Sequence, residues 1–235
     1  MTATTPHEVP ARPRRRLPAW LEIVLAVIVV GLVQAFLVKP FGVPSQSMEN
    51  TLQIGDRIVV NRLDSTVGRG DIVVFSHGET WQEPQLPEAD NALARAARKV
   101  GDLTGIGPSN TAYTVKRVIG TPGDTVACCD GQGRVLVNSK PLDEPYVHDD
   151  HAFRSPELTC DTTPRSSRCF PEIRVPEDRL LVMGDHRSQS ADSVVNCRGG
   201  TEAGGCARFV PMNRIVGPVV FRIWPLGTFG RITAG

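Results

Sequence analysis

The longest apolar stretch of the chain runs from Leu17 to Val38 and contains one ionisable side chain, Glu22, near its beginning. A helix of this length crosses a bilayer, because each residue adds about 1.5 Å along the helix axis. Arginines at positions 12, 14, 15 and 16 precede the stretch, whereas Lys39 alone follows it directly. The positive-inside bias therefore predicts a single anchor, residues 17–38, with a cytoplasmic amino terminus and the remaining chain outside.

A cleaved export signal is the competing interpretation, since Val33, Gln34 and Ala35 resemble a cleavage site. The apolar run continues through residues 36–38, which favours a retained anchor. Residues 1–16 are rich in Thr, Pro and Arg, so we predict a disordered cytoplasmic tail before the anchor.

Short β-branched runs separated by glycine and proline dominate the rest of the chain, which is typical of strands. The predicted strands are residues 57–60, 71–75, 112–119, 125–127, 134–137, 180–183 and 215–223. With little helix between them, they indicate a mainly antiparallel β domain over residues 39–235. Residues 138–141 are predicted to turn, and the polar residues 148–172 are predicted to form a long inserted surface loop.

A second insertion is predicted at about residues 76–110, where the strand pattern is interrupted. Within it, residues 89–103 carry apolar side chains at helical spacing and basic side chains opposite them, which predicts an amphipathic helix. We expect this helix to pack against the domain, and the alternative is that it lies on the membrane surface.

The composition adds information on charge and on cysteine chemistry. The 235 residues have a formal net charge of +1, which gives no indication of nucleic-acid binding. Cysteines in an exported domain are expected to be oxidised, and the equal spacing of Cys160 with Cys169 and of Cys197 with Cys206 suggests two disulfide-closed loops. The cysteines at residues 128–129 stay unassigned, because a bond between neighbours is strained. No CxxC pair indicates a cysteine-bound zinc ion.

The first candidate catalytic residues are two serines, Ser45 and Ser47. They lie in a turn that Pro44 stiffens, shortly after the predicted anchor. Such serines are also ordinary turn residues. The chain has no GxSxG, HExxH, GxxxxGK or SxxK motif, which leaves the lysines and the five histidines as candidate bases.

Lys116 is the lysine that the pattern singles out, because it lies inside a predicted strand with Thr114 and Val118 on its own face. Burial among such neighbours would lower the pKa of its amine, so that a neutral amine could accept the proton of the Ser47 hydroxyl. Ser45 would then help to stabilise the oxyanion. An exposed lysine on an edge strand is the alternative.

Several segments resemble those of bacterial type I signal peptidases (leader peptidases, peptidase family S26), in the same order along the chain. They are PSQSM at 44–48, TLQIGD at 51–56, GRGDIVVF at 68–75, VKRVIGTPGD at 115–124, MGDHRSQSADS at 183–193 and VPMNRIVG at 210–217. The resemblance implies a fold of two coiled antiparallel β-sheets on a membrane anchor in the bacterial cell membrane. It also implies removal of signal peptides from exported preproteins after small-x-small sequences such as Ala-x-Ala, with no cofactor, metal or obligatory protein partner.

The resemblance assigns a role to individual residues. Ser47 corresponds to the nucleophile, Lys116 to the general base, Ser45 to an oxyanion-hole donor, Ser190 to a serine that orients the lysine, Asp185 and Arg117 to a supporting ion pair, and Asp192 to a further structural carboxylate. The shallow pockets for small substrate side chains are expected to be lined by Pro44, Met48, Leu52 and Val115.

The chain departs from the family's pattern at three places. The Glu-Asn pair at residues 49–50 replaces an apolar residue and a proline, which alters the turn after the nucleophile. His186 replaces the usual asparagine, and we expect a solvent-facing loop histidine there. Val194 replaces an arginine that commonly pairs with the second aspartate, which would then pair with Arg187 or Arg198 or be hydrated.

Other functions remain open from the sequence. A relative of the self-cleaving repressors is disfavoured by the predicted anchor and by the lack of a helix-turn-helix segment. An anchored domain that binds exported proteins without cutting them is a second alternative, and a serine hydrolase that uses His186 as its base is a third.

Overall fold

A computed structural model describes residues 18–63, 66–77, 81, 91–104, 111–200 and 205–232. The described residues form the helices α1 (Ala19–Phe36) and α2 (Ala92–Thr104). The strands are β1 (Val38–Gly42), β2 (Arg57–Asn61), β3 (Ile72–Ser76), β4 (Tyr113–Gly120), β5 (Thr125–Cys128), β6 (Val135–Val137), β7 (Lys140–Pro141), β8 (Phe170–Arg174), β9 (Arg179–Met183), β10 (Val210–Pro211), β11 (Ile215–Trp224) and β12 (Gly230–Arg231).

Two antiparallel sheets contain these strands. The larger has the order β1-β2-β11-β3-β4-β9-β10, with β12 paired to β11, and the smaller has the order β7-β6-β5-β8. The predicted fold class, mainly antiparallel β, is therefore confirmed. The predicted disordered tail at residues 1–16 lies outside the described residues.

The sequence missed five strands, namely β1, β7, β8, β10 and β12. Four of them contain a proline, which lacks a backbone N–H and therefore weakens the sequence signal of a strand. Residues 140–141, predicted to turn, pair with β6, and the predicted surface loop 148–172 ends early because β8 begins at Phe170.

Strand β4 lies between β3 and β9 and contributes to three clusters of buried apolar side chains. Val115 packs with β1, β2 and the turn after β1, Val118 packs with β9, and Ile119 packs against the smaller sheet. A strand held in this way is rigid, because its two neighbours occupy its hydrogen-bonding edges and its faces are packed. The residues between these anchors, Lys116 and Arg117, therefore have fixed positions.

Within the apolar stretch predicted as an anchor, Ala19–Phe36 forms α1, and Val38 already belongs to β1. Among the described residues, no helix reaches the length and apolar content needed to span a membrane. The predicted amphipathic helix is confirmed as α2, which lies beside α1.

The structure contains three disulfides. Cys160 bonds to Cys169 and Cys197 bonds to Cys206, as their spacing predicted. The adjacent residues 128–129, which the sequence left unassigned, are also joined.

Candidate active site

The two serines lie in the connection between β1 and β2, where Gln46–Met48 forms a single 3₁₀ turn. Val43 closes this connection twice, since its N–H donates to the carbonyl of Asp56 and its carbonyl accepts the N–H of Gly55, each at 2.9 Å. Ser47 is buried within the turn. The connection is therefore a fixed part of the β1–β2 pair, as the sequence predicted from Pro44.

Lys116 faces this turn from β4, opposite Val73 of β3. Its side chain is 3% exposed, and its Nζ donates a hydrogen bond to Ser47 Oγ at 2.5 Å. The alternative of an exposed lysine on an edge strand is wrong, because β4 pairs with strands on both sides. The fold thus brings the two predicted dyad residues into direct contact.

Burial lowers the pKa of Lys116 from 10.5 to about 8, because the charged amine loses its hydration in the protein interior. The carboxylates of Asp192 and Asp185 act in the opposite direction and raise this pKa, while Arg208 lowers it further. A pKa of about 8 leaves a substantial neutral fraction near pH 7 to 8, which a general base requires.

Two further serines lie close to the dyad. The hydroxyl of Ser45 is 3.3 Å from that of Ser47. Ser190 is buried, and its Oγ has no hydrogen-bond partner among the described residues. It packs against Gly184, where an added Cβ would lie 2.3 Å from that Oγ and 2.5 Å from the carbonyl oxygen of Ser47. The hydrogen bond between Ser190 and Lys116 that the resemblance implied is therefore not formed in this structure.

Arg117 and Asp185 form a buried ion pair directly behind the dyad. The guanidinium donates through Nε and Nη2 to the two carboxylate oxygens at 2.8 and 2.7 Å. A third donor, Nη1, reaches the carbonyl of Gly70 at 2.8 Å, and the ring of Tyr146 stacks 3.7 Å from the guanidinium carbon. Asp185 also accepts the Thr51 hydroxyl at 2.5 Å, so this pair links β4 to the end of β9 and to the connection between β1 and β2.

Replacing Asp185 by asparagine is expected to destabilise the protein by about 3–5 kcal/mol, because Arg117 stays buried without its counter-ion. Chemical denaturation of both proteins would measure the difference. The matched control is Arg134→Met, which breaks an ion pair whose arginine is 48% exposed and is expected to cost at most about 1 kcal/mol. Equal losses in the two variants would contradict the assignment of Asp185 as a structural support.

Asp192 is fully buried, and the structure decides which of its candidate partners it contacts. Arg198 lies 3.5 Å from its carboxylate, which also accepts the backbone N–H of Val194 at 3.2 Å. Arg187 instead pairs with Glu144 at 2.5 Å. Val194 itself packs in the apolar core. Of the two candidate arginines, Arg198 is therefore the one that contacts Asp192.

A small cavity of about 30 Å³ adjoins Ser47. It is lined by Val43, Pro44, Ser45, Ser47, Met48, Tyr113, Thr114 and Val115. Of the predicted pocket residues, Pro44, Met48 and Val115 line it, whereas Leu52 does not and is instead fully buried in the core. At this size the cavity favours a small side chain over a large one.

A larger cavity of about 460 Å³ also adjoins the dyad and shares three lining residues with the small one. It is lined by Ser45, Gln46, Ser47, His77, Trp81, Thr114, Lys116, Gln189, Ala191 and Arg208. The sequence did not assign Tyr113, Trp81 or Arg208 to the site. Tyr113 could have been found from its place in β4, but Trp81 lies in the insertion, where no pattern indicated its direction. Arg208 stacks 4.7 Å from the Trp81 ring, a contact that only the fold creates.

Two of the places where the chain departs from the family's pattern, residues 49–50 and His186, contact each other beside the site. His186 is buried, contrary to the expectation of a solvent-facing histidine, and its Nδ1 lies 2.8 Å from Glu49 Oε2. Asn50 has a φ of 81°, which a proline could not adopt because its ring fixes φ near −65°. The turn after Ser47 therefore has a conformation that the family's usual proline would exclude.

The family described as signal peptidase, peptidase S26, matches residues 17–224. The chain belongs to the signal peptidase family. A probable signal peptidase I of Mycobacterium leprae is 31% identical over 94% of this chain and 82% of its own length. Signal peptidase I of Mycobacterium tuberculosis is 32% identical over 93% and 77%, and that of Leptolyngbya laminosa is 30% identical over 97% and 93%.

Membership of the signal peptidase family confirms the resemblance seen in the sequence motifs. It makes the chain a serine endopeptidase of the signal peptidase I type.

Proposed function

We propose that this chain removes signal peptides from exported preproteins, using Ser47 and Lys116 as a catalytic dyad. The observation that carries the proposal is the 2.5 Å contact between Lys116 Nζ and Ser47 Oγ, formed by an amine that is shielded from water. No other base is needed, because a neutral amine at this distance can accept the hydroxyl proton directly.

The reaction begins when Ser47 Oγ attacks the carbonyl carbon before the cut and its proton passes to Lys116. The oxyanion that forms would be stabilised by the hydroxyl of Ser45 and the backbone N–H of Ser47. Lys116 then returns the proton to the leaving amine, and an acyl ester remains on Ser47. Water, activated by the same amine, hydrolyses the ester and releases the signal peptide.

Specificity for small side chains is supported by the 30 Å³ cavity beside Ser47. Because Met48 and Val115 are packed into the core behind it, the cavity cannot enlarge without a cost in packing. An alanine before the scissile bond would fit with little adjustment. The larger cavity, which Lys116 and Gln189 line, would hold the part of the substrate that follows the scissile bond.

We further infer that α1 anchors the domain to the bacterial cell membrane by a single pass, with the amino terminus cytoplasmic and the site outside. Large apolar side chains are exposed along the described part of α1, including Ile23, Leu25, Val27 and Ile28. Lipid is a favourable environment for a helix that is apolar all round. Only six residues separate Leu37, which directly follows α1, from the PSQSM turn, so the nucleophile would lie near the lipid surface where signal peptides end.

The alternatives have less support. Family membership and the dyad contact disfavour a domain that only binds exported proteins. A histidine-dependent hydrolase is disfavoured because the His186 ring contacts Glu49. Among the described residues, this ring makes no hydrogen bond to the Ser47 hydroxyl.

The direct test presents a preprotein with an Ala-x-Ala site to the detergent-solubilised protein and sequences the new amino terminus. We expect one cut, directly after the second alanine. Replacing that alanine by leucine is expected to lower kcat/KM by at least about 10²-fold, since the pocket would have to enlarge against its packed walls to accept the three added carbons. Equal cleavage of both substrates would contradict the pocket assignment.

The pH dependence is expected to follow the titration of Lys116. Because only the neutral amine accepts a proton, kcat/KM should rise about tenfold per pH unit below about 8 and level off above that value. A peptide substrate without ionisable groups in this range would report the profile. A midpoint at about 6.5 would instead indicate a histidine base.

A further inference from the structure

Three segments converge beside the turn that contains Ser47, and backbone hydrogen bonds fix their relative positions. The N–H of His186 donates to the carbonyl of Ser47 at 3.1 Å. The N–H of His148 donates to the carbonyl of Asp185 at 2.8 Å, and that of Arg187 donates to the carbonyl of His148 at 3.3 Å. The side chains that these segments carry are therefore brought together by the main chain, independently of any interaction between them.

The side chains of Glu49, His148 and His186 form a compact group of metal-ligating atoms. One carboxylate oxygen and one ring nitrogen from each histidine all lie within 4.8 Å of one another. Ligands of a single zinc ion lie about 3–3.5 Å apart, since each is about 2.0–2.2 Å from the metal. Closing the remaining gap requires rotation of these side chains, of which His148 is exposed and Glu49 is half-buried. His148 is exposed, so an ion can enter from solvent.

One ring nitrogen of His186 lacks a hydrogen-bond partner, and an ion on the other nitrogen would let it gain one. His186 is 5% exposed, and its buried Nε2 makes no hydrogen bond among the described residues. When Nδ1–H donates to Glu49, the Nε2 lone pair faces the carboxylate of Asp149 at 3.5 Å, which is repulsive. A metal on Nδ1 moves the proton to Nε2, where Asp149 can accept it, as carboxylates commonly do behind metal-bound histidines.

We propose that Glu49, His148 and His186 bind one divalent transition-metal ion of the zinc type. Two imidazoles and one carboxylate, with a further position for water, suit Zn²⁺, whereas Mg²⁺ and Ca²⁺ prefer oxygen ligands throughout. Glu49 and His186 are also two of the positions at which this chain departs from the family's motifs, so the departures together build the site. The ion would stabilise the turn that contains Ser47, because its ligand Glu49 lies two residues after the nucleophile.

Binding of the metal is independent of the proposed peptidase mechanism and is tested without a substrate. The EDTA-treated, detergent-solubilised protein is titrated with ZnCl₂ by calorimetry and by competition with a chromophoric chelator, with MgCl₂ in parallel. We expect one saturable zinc site, no comparable magnesium binding, and a rise of several degrees in the unfolding midpoint with excess zinc. X-ray absorption is expected to show nitrogen and oxygen ligands without sulfur.

The variants His148→Ala and Glu49→Gln are expected to weaken zinc binding at least about tenfold and to lose the thermal shift. His148 is exposed, so its removal should leave the fold intact, which the unfolding midpoint in EDTA verifies. The matched control is His151→Ala, a histidine of the same loop outside the cluster, which should bind zinc like the parent. Absence of saturable zinc binding, or unchanged affinity in both cluster variants, would overturn the proposal.

Discussion

Replacing Lys116 by methionine is expected to reduce kcat for preprotein cleavage by at least about 10⁴-fold and, at the same time, to make the protein more stable. Activity is lost because no other base lies within hydrogen-bond distance of Ser47 Oγ among the described residues. Losses of this size are typical when one member of a catalytic unit is removed. Single-turnover cleavage of an Ala-x-Ala preprotein would measure the effect.

The gain in stability follows from the depressed pKa of Lys116. Burial lowers this pKa from 10.5 to about 8, so below pH 8 the folded chain must hold a charged amine that the unfolded chain hydrates better. The penalty corresponds to about 3 kcal/mol, and it is lost progressively as the pH rises from about 8 to 10.5. Methionine fills similar volume without charge, so we expect Lys116→Met to gain up to about 3 kcal/mol at pH 7 and little at pH 11.

Lys39→Met is the matched control, because Lys39 is a second buried lysine. It lies on β1, and its amine lies over the rings of Phe41 and Tyr113. This variant should still cleave preprotein. Cleavage by Lys116→Met at more than a tenth of the parent rate would rule out the dyad. A variant that is inactive and also less stable would show that Lys116 is a structural residue.

Replacing Ser47 by alanine is expected to reduce kcat as much as Lys116→Met does, since the nucleophilic oxygen is removed. Ser45→Ala should have a much smaller effect, about 10²-fold in kcat, because it removes one oxyanion donor and leaves the nucleophile. The two hydroxyls are 3.3 Å apart in the same turn. A difference in activity between the two variants therefore reports the roles of the hydroxyls and not their location. Cleavage assays under substrate saturation would give both values.

A serine-directed acylating probe provides the independent control. The parent protein and Ser45→Ala should be labelled at Ser47, as located by peptide mass mapping, whereas Ser47→Ala should not be labelled. Labelling at Ser45 would exchange the proposed roles of the two serines. A parent protein that binds preprotein but is neither labelled nor able to cut it would support the binding-domain alternative instead.

The sequence alone was sufficient for the residues that lie within one continuous segment or follow a local period. The β-branched runs predicted most of the longer strands, and the turn of Pro44, Ser45 and Ser47 was predicted as rigid because proline restricts its own backbone. Lys116 was singled out because an internal strand position with small or apolar neighbours predicts burial. Each of these conclusions depends on interactions between residues close together in the chain.

The tertiary structure decided the contacts between distant segments, which no local pattern encodes. It placed Lys116 against Ser47 across 69 positions of sequence, gave Asp192 the partner Arg198, and moved Leu52 from the predicted pocket into the core. It also buried His186 against Glu49. Strand pairing fixes such contacts, because a side chain's neighbours across a sheet depend on register and order, and these are set by the packing of the whole domain.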